Sequence, residues 1–392
     1  MPVVGDAIVS SSQLLGCFWA AAKTTSGCAM WGETHRRIKV MRPSGETPPG
    51  GGGHSGGHVS PSMVCNCLSM SADGRYAAYA HLSDIVLIDL SQAGDEAVAC
   101  RLLNCGAVVM SVTVCETTEG PVVVVGSVES VQVWSCADGN RLMSYTLPHR
   151  STEDDTIAYD RRFYARGACI FSAVAGEPPV LIVGTSTGTL HVFEVQGARF
   201  IYSQALEGHH KAPIADISSS HEREYAAHTL AQVPSLAVAD ESGVITVWQS
   251  AGGSLLPIIQ VRAPGESLTS VRMRGNLILA GSLLGKVCVF DAESSALKCN
   301  IATHARAVNA LALHPIMDWV LSVSEDGFVT AWNLENVGRE EIEAITSQHL
   351  KDALLCGASF VGDTGKDIAV VQYDVEALVL LVGSSLPIDH RA

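Results

Sequence analysis

Apolar residues fall in short runs along the chain, and each run is broken by turn chemistry. The clearest stretch is 304–332, HARAVNALALHPIMDWVLSVSEDGFVTAW. An apolar run from Val308 to Leu313 meets a turn at His314-Pro315. A second run, Val320 to Val323, ends in Ser324-Glu325-Asp326-Gly327, and a third runs from Phe328 to Trp332. Short runs rich in β-branched and aromatic residues, separated by turn residues, predict an antiparallel meander. The same order recurs over 64–89, 108–134, 167–193, 212–248, 268–290 and 354–381. Most repeats are followed by one more strand candidate, such as RLMSYTL at 141–147, FIYSQAL at 200–206 and LLPIIQV at 255–261, so each unit reads as four strands.

The closing aromatic residues Trp248, Phe290 and Trp332 are 42 positions apart, within the roughly 40–45 residues of a propeller blade. Wider spacings from Trp134 to Phe193 and on to Trp248 are accounted for by polar insertions at 148–162 and 218–234, which surface loops tolerate. A charged stretch, 333–352, reads as a third insertion, with helix formers from Glu340 to Ile345. The last unit lacks a fourth strand. Since an open ring would leave bare sheet edges, an N-terminal strand from residues before 41 is expected to complete it. The expectation is an all-β, seven-bladed propeller spanning 1–392 as a single domain and closed by the N-terminal strand. Eight blades is the alternative, if 14–40 forms a unit of its own. Residues 42–62, rich in Gly, Pro and Ser, read as a flexible loop.

This order of histidine, hydroxyl residue, turn aspartate and strand tryptophan resembles the WD-repeat propeller family, although the dipeptide that names the family is Trp332-Asn333 here. HARAV at 304–308 and LCGASF at 355–360 narrow the resemblance to one branch of that family across the second half of the chain. The resemblance implies a propeller without enzymatic activity. It also implies that His304, Ser322 or Ser324, Asp326 and Trp332 form a buried hydrogen-bonded chain. A buried indole N–H needs an acceptor, and a hydroxyl can accept that bond and pass one on. Residues 208–248 carry a partial copy with His210 and Trp248. Ser242 stands where the acid is expected, which predicts a weaker network there. Repeats closing on Phe193 and Phe290 have no indole to bond.

Charge narrows the partners. The chain has 25 Lys+Arg against 40 Asp+Glu, a net charge of −15, opposite to the basic footprint of nucleic-acid binding or of an anionic membrane surface. No apolar run approaches the ~20 residues of a membrane span. The N-terminus carries Asp6, and its run from Leu14 to Ala22 is broken by Gly16, unlike a secretion signal. Twelve cysteines without a Cys-x-x-Cys pair read as reduced core residues. Cys65 and Cys67 alternate in a strand-like run and are expected on one sheet face. His54 and His58, in the glycine-rich stretch, have no carboxylate or thiol near them to complete a metal site. No phosphate loop, nucleophile elbow or zinc-protease motif is present, and GTSTG at 184–188 and GSLLG at 281–285 fall between strands as hairpin turns. No catalytic residue, cofactor, metal or small-molecule ligand is therefore expected. The functional expectation is a cytoplasmic protein–protein interaction scaffold in a multisubunit assembly, with ciliary and cytoskeletal complexes as settings. A regulatory or ubiquitin-ligase substrate adaptor is the alternative, and an enzyme using the central pocket a third reading. Glu340, Glu341 and Glu343 are candidate docking residues for a basic partner.

Overall fold

The computed structural model describes residues 31–41, 59–94, 96–148, 163–172, 178–220, 235–251, 254–335, 337–338, 342 and 344–383. Its strands form five separate four-stranded sheets and one eight-stranded sheet. The eight-stranded sheet is itself two four-stranded groups joined edge to edge, so the described strands make seven sets. We number these set 1 (68–104), set 2 (109–146), set 3 (165–206), set 4 (214–262), set 5 (268–302), set 6 (308–349) and set 7 (355–383 with Trp31–Met41). Consecutive strands within each set are antiparallel. The first strand of each set packs on the first strand of the next, and Leu355–Val361 returns to Leu68–Met70, closing a ring. The fold is an all-β propeller.

Burial follows position. In set 6 the first two strands, Val308–Leu313 and Trp319–Ser324, are buried throughout, whereas the fourth, Ala344–His349, alternates towards solvent. Register shifts recur at two places. One lies at the start of the first strand, between Ile214 and Asp216, Leu268 and Ser270, and Val308 and Ala310. The other immediately precedes the closing aromatic residue, between Val247 and Trp248, Val289 and Phe290, and Ala331 and Trp332. Such bulges re-aim a side chain. Here Thr269 Oγ1 donates to Val308 O at 2.5 Å and Asn309 Nδ2 to Leu355 O at 2.7 Å, so these two bulged residues bind the next set. Gly327, with φ of 81°, closes a hairpin so tightly that a Cβ there would lie 2.8 Å from Leu350 O.

The expected closing strand is present and does more than close. Trp31–Met41 pairs antiparallel with Ala377–Gly383, setting Ile38 opposite Leu378. It also pairs in parallel with Ala97–Asn104, Lys39 opposite Ala97 and Met41 opposite Ala99. Of residues 14–40, on which the eight-blade alternative rests, 14–30 lie outside the described residues, as do 149–162 and 221–234 of two expected insertions.

Three expectations need correction. The stretch 333–352 contains the strand Ala344–His349, because Thr330, Ala331 and Trp332 need an outer partner. Residues 59–62 are pinned: Val59 is buried, its amide donates to Glu376 Oε1 at 3.0 Å, and its carbonyl accepts from Tyr79 Oη at 2.6 Å. The rest of the glycine-rich stretch, 42–58, is outside the described residues. Cys65 and Cys67 precede the strand Leu68–Met70, and the residue between them, Asn66, has φ of 51°, so they share no sheet face.

Candidate functional site

Set 6 brings the four residues singled out by spacing into one chain. His304 Nδ1 lies 3.2 Å from both carboxylate oxygens of Asp326, and its Nε2 lies 2.9 Å from Ser322 Oγ. Trp332 Nε1 donates to the same Oγ at 2.9 Å. One direction satisfies every group: indole N–H to serine, serine O–H to His304 Nε2, Nδ1–H to carboxylate. Asp326 also accepts from the amides of Ala305 at 2.9 Å and Phe328 at 3.0 Å, tying the link before the first strand to the hairpin after the second. Burial alone would raise the Asp326 pKa, but the His304 bond and charge and these two amides outweigh it and hold the carboxyl below its usual range. Ser324, the other hydroxyl candidate, donates to Arg306 O at 3.2 Å and serves the hairpin. The Ser322 hydroxyl is buried and occupied by the indole, so this Ser/His/Asp group cannot present a nucleophile to a substrate.

Set 4, where Ser242 in the acid's place predicted a weaker network, keeps its acid contact through another residue. The acid has moved two residues, to Asp240, where set 6 has Ser324. Asp240 Oδ2 lies 2.8 Å from His210 Nδ1, and Oδ1 accepts from Ser242 N at 2.9 Å, Ser242 Oγ at 2.7 Å and Val244 N at 3.1 Å. Burial opposes ionisation of Asp240, and the bonds from His210, Ser242 and Val244 more than compensate, leaving its pKa lowered. The hydroxyl is what set 4 lacks. Val238 occupies the place of Ser322, so His210 Nε2 and Trp248 Nε1 are both buried without a hydrogen-bond partner.

No motif marks the group at the ring axis. Asn66 precedes set 1, yet its amide donates to Asn309 O of set 6 at 2.7 Å and its Nδ2 to Asp216 Oδ2 of set 4 at 2.9 Å. Sets 1 and 4 stand on opposite sides of the ring that the described sets form, so Asn66 crosses the axis as a bar. Asp216 is held in turn by Arg272 Nη1 at 2.6 Å and by the amide of Val271 at 3.0 Å. Beside this bar Arg166 pairs with Glu241 at 2.6 Å. On its far side a cavity of about 230 Å³ is lined by residues of the inner strands, including Met70, Thr113, Cys169, Arg272, Leu311 and Ser359. Burial pushes the thiol of Cys67 up to about 12 and raises those of Cys65 and Cys356, which makes poor nucleophiles of them. No metal-binding group of three His, Cys, Asp or Glu occurs among the described residues, and no described helix is long and apolar enough to cross a membrane. Glu340, Glu341 and Glu343 lie outside the described residues.

The surface is uneven. On the face that carries the hairpins and the axial bar, Met63, Leu82, Val108, Leu354 and Tyr373 are exposed across sets 2, 1 and 7, Leu82 to 67%, and Leu283 and Leu284 are exposed apart from them in set 5. On the opposite face, the turn ahead of Trp319–Ser324 exposes Ile316 and Met317.

A family model described as WDR54 matches residues 104–382. The chain belongs to the WDR54 family. It is similar to WD repeat-containing protein 54 of Mus musculus, 32% identical over 221 residues, 55% of this chain and 62% of that protein. It is equally similar to WD repeat domain 54 of Rattus norvegicus, 32% identical over 226 residues, 56% of this chain and 64% of that protein. The human WD repeat-containing protein 54 matches at 32% over 217 residues, 54% of this chain and 61% of that protein. The chain thus spans less than two thirds of the length of these curated relatives. Among solved structures it is similar to a chain of the "Crystal Structure of Mitotic Checkpoint Complex", with a TM-score of 0.61 and 14% identity, over 83% of this chain and 92% of that chain. At that identity the likeness concerns the fold.

Proposed function

We propose that this chain is a non-enzymatic protein-interaction scaffold and a subunit of a larger cytoplasmic assembly. The observation that carries the reading is the contrast between inside and outside. The constellation most like a catalytic triad, His304, Ser322 and Asp326, is buried and consumed in joining strands. Bulky apolar side chains are exposed instead on the hairpin face, as at surfaces that dock other proteins. Membership of a WD-repeat family supports the same reading, and ciliary and cytoskeletal fractions are the first settings to examine. The test is to isolate the native chain at raised salt and determine what remains bound. Stoichiometric protein partners that survive are the expected result. Recovery of the chain alone, at its own 41.3 kDa, would sink the proposal, and weak, mutually competing partners would favour a regulatory adaptor.

A further inference from the structure

On that reading, we infer that the arc from Val108 through Leu82 and Met63 to Leu354 and Tyr373 is a docking surface for a basic peptide segment of a partner protein, anchored by bulky apolar side chains. The arc is continuous across sets 2, 1 and 7. The Val109 amide donates to Leu82 O at 2.9 Å, and the Leu82 amide to Ser62 Oγ at 2.7 Å. Met63 Sδ lies 3.9 Å from Cys356 Sγ, and the Tyr373 amide donates to Leu354 O at 2.8 Å. All five apolar side chains are exposed, an arrangement that costs solvation unless a partner covers it.

Charge selects the occupant. Among the described residues, exposed Glu129, Asp352 and Asp374 and half-buried Glu376 flank the arc, against the exposed base Lys351, with exposed Arg306 one set further on. Val128 N donates to Val108 O at 3.0 Å, which brings Glu129 beside one end, and Asp374 follows Tyr373 at the other. A chain of net charge −15 with an acidic border around apolar anchors favours Lys and Arg flanking Leu, Met or aromatic residues in the partner. Asn66 bars the axis on this face, so the segment lies across the arc and does not thread the ring.

The arc can be altered without disturbing the core. Leu82 sits at φ of 54°, Asp352 at 57° and Asp374 at 58°, a left-handed backbone that Asp and Asn accept readily. The experiment selects peptides from a random 12-residue display library on the full chain. One enriched peptide is then measured by fluorescence anisotropy and stopped flow. The expected consensus carries Lys or Arg beside bulky apolar residues. The double variant Leu82→Asp, Leu354→Asp should bind at least ten-fold more weakly while melting like wild type. Asp352→Asn with Asp374→Asn, or raised salt, should slow association. The proposal is overturned by three results: no enrichment or a consensus without basic residues; affinity indifferent to the arc, including loss only with Glu340, Glu341 and Glu343 changed to Gln; or a wild-type dimer in sedimentation that the arc variants abolish, which would make the occupant a second copy. An arc variant that keeps its full complement of native partners would refute the arc and leave the scaffold reading intact, whereas a wild-type chain isolated without partners would refute the scaffold itself.

Discussion

Val238 is the residue that separates set 4 from set 6. A methyl group stands where a hydroxyl joins indole to imidazole, and two buried polar atoms are left over. An unsatisfied buried group costs about 1–3 kcal/mol, so a hydroxyl at 238 has two bonds to make. Val238→Ser should therefore be more stable than Val238→Ala by about 1–3 kcal/mol in urea melts. Equal midpoints would show that the pair already bonds water. In set 6, Asp326 has a folded pKa below its unfolded value. Its contribution is complete above the unfolded value, near pH 4, and is lost as pH falls through the lower folded value. The stability deficit of Asp326→Asn measured at pH 7 should thus shrink on acidification below about pH 4; a deficit that stays constant with pH would show that charge has no part in it. The chain through Trp332 was legible because its four residue types stand at familiar spacing. The Asp240 contact was not, because exchanging Ser and Asp two positions apart keeps both on the same hairpin, and only the rotamers decide which one meets His210.

At the scale of elements, turn punctuation carried most of the information. Inner strands such as Ser235–Asp240 and Trp319–Ser324 are buried on both faces, because their sheets are covered by neighbours, and such runs stand out between Gly and Asp turns. Outer strands such as Ala344–His349 are half polar and merge into the charged stretch before them, which explains why 333–352 read as an insertion. The closing strand was legible from what was missing after Val382. Its parallel seam with Ala97–Asn104 was not, since ring closure and no side-chain pattern sets that register. Deleting residues 1–40 should uncover the edges of both Ala377–Gly383 and Ala97–Asn104 and yield associating material. A monomeric, cooperatively melting product in sedimentation and urea titration would contradict the role assigned to this strand.

At the scale of the whole molecule, properties that depend on going once round the ring are invisible to any local pattern. Asn66 and Asp216 are 150 positions apart, and neither lies in a motif. Likewise, the exposed arc assembles from single residues of three sets, each unremarkable where it stands in the chain. The doubly paired first strand has a consequence for how the protein is made. Lys39 leaves the ribosome long before Ala377, its partner in the finished ring. At about 5–20 residues per second, translation keeps it waiting for roughly 17–70 s. Ala97–Asn104 is synthesised early, so the parallel seam offers a berth during that interval, holding an otherwise naked strand away from neighbouring polysomes until the far end of the polypeptide arrives.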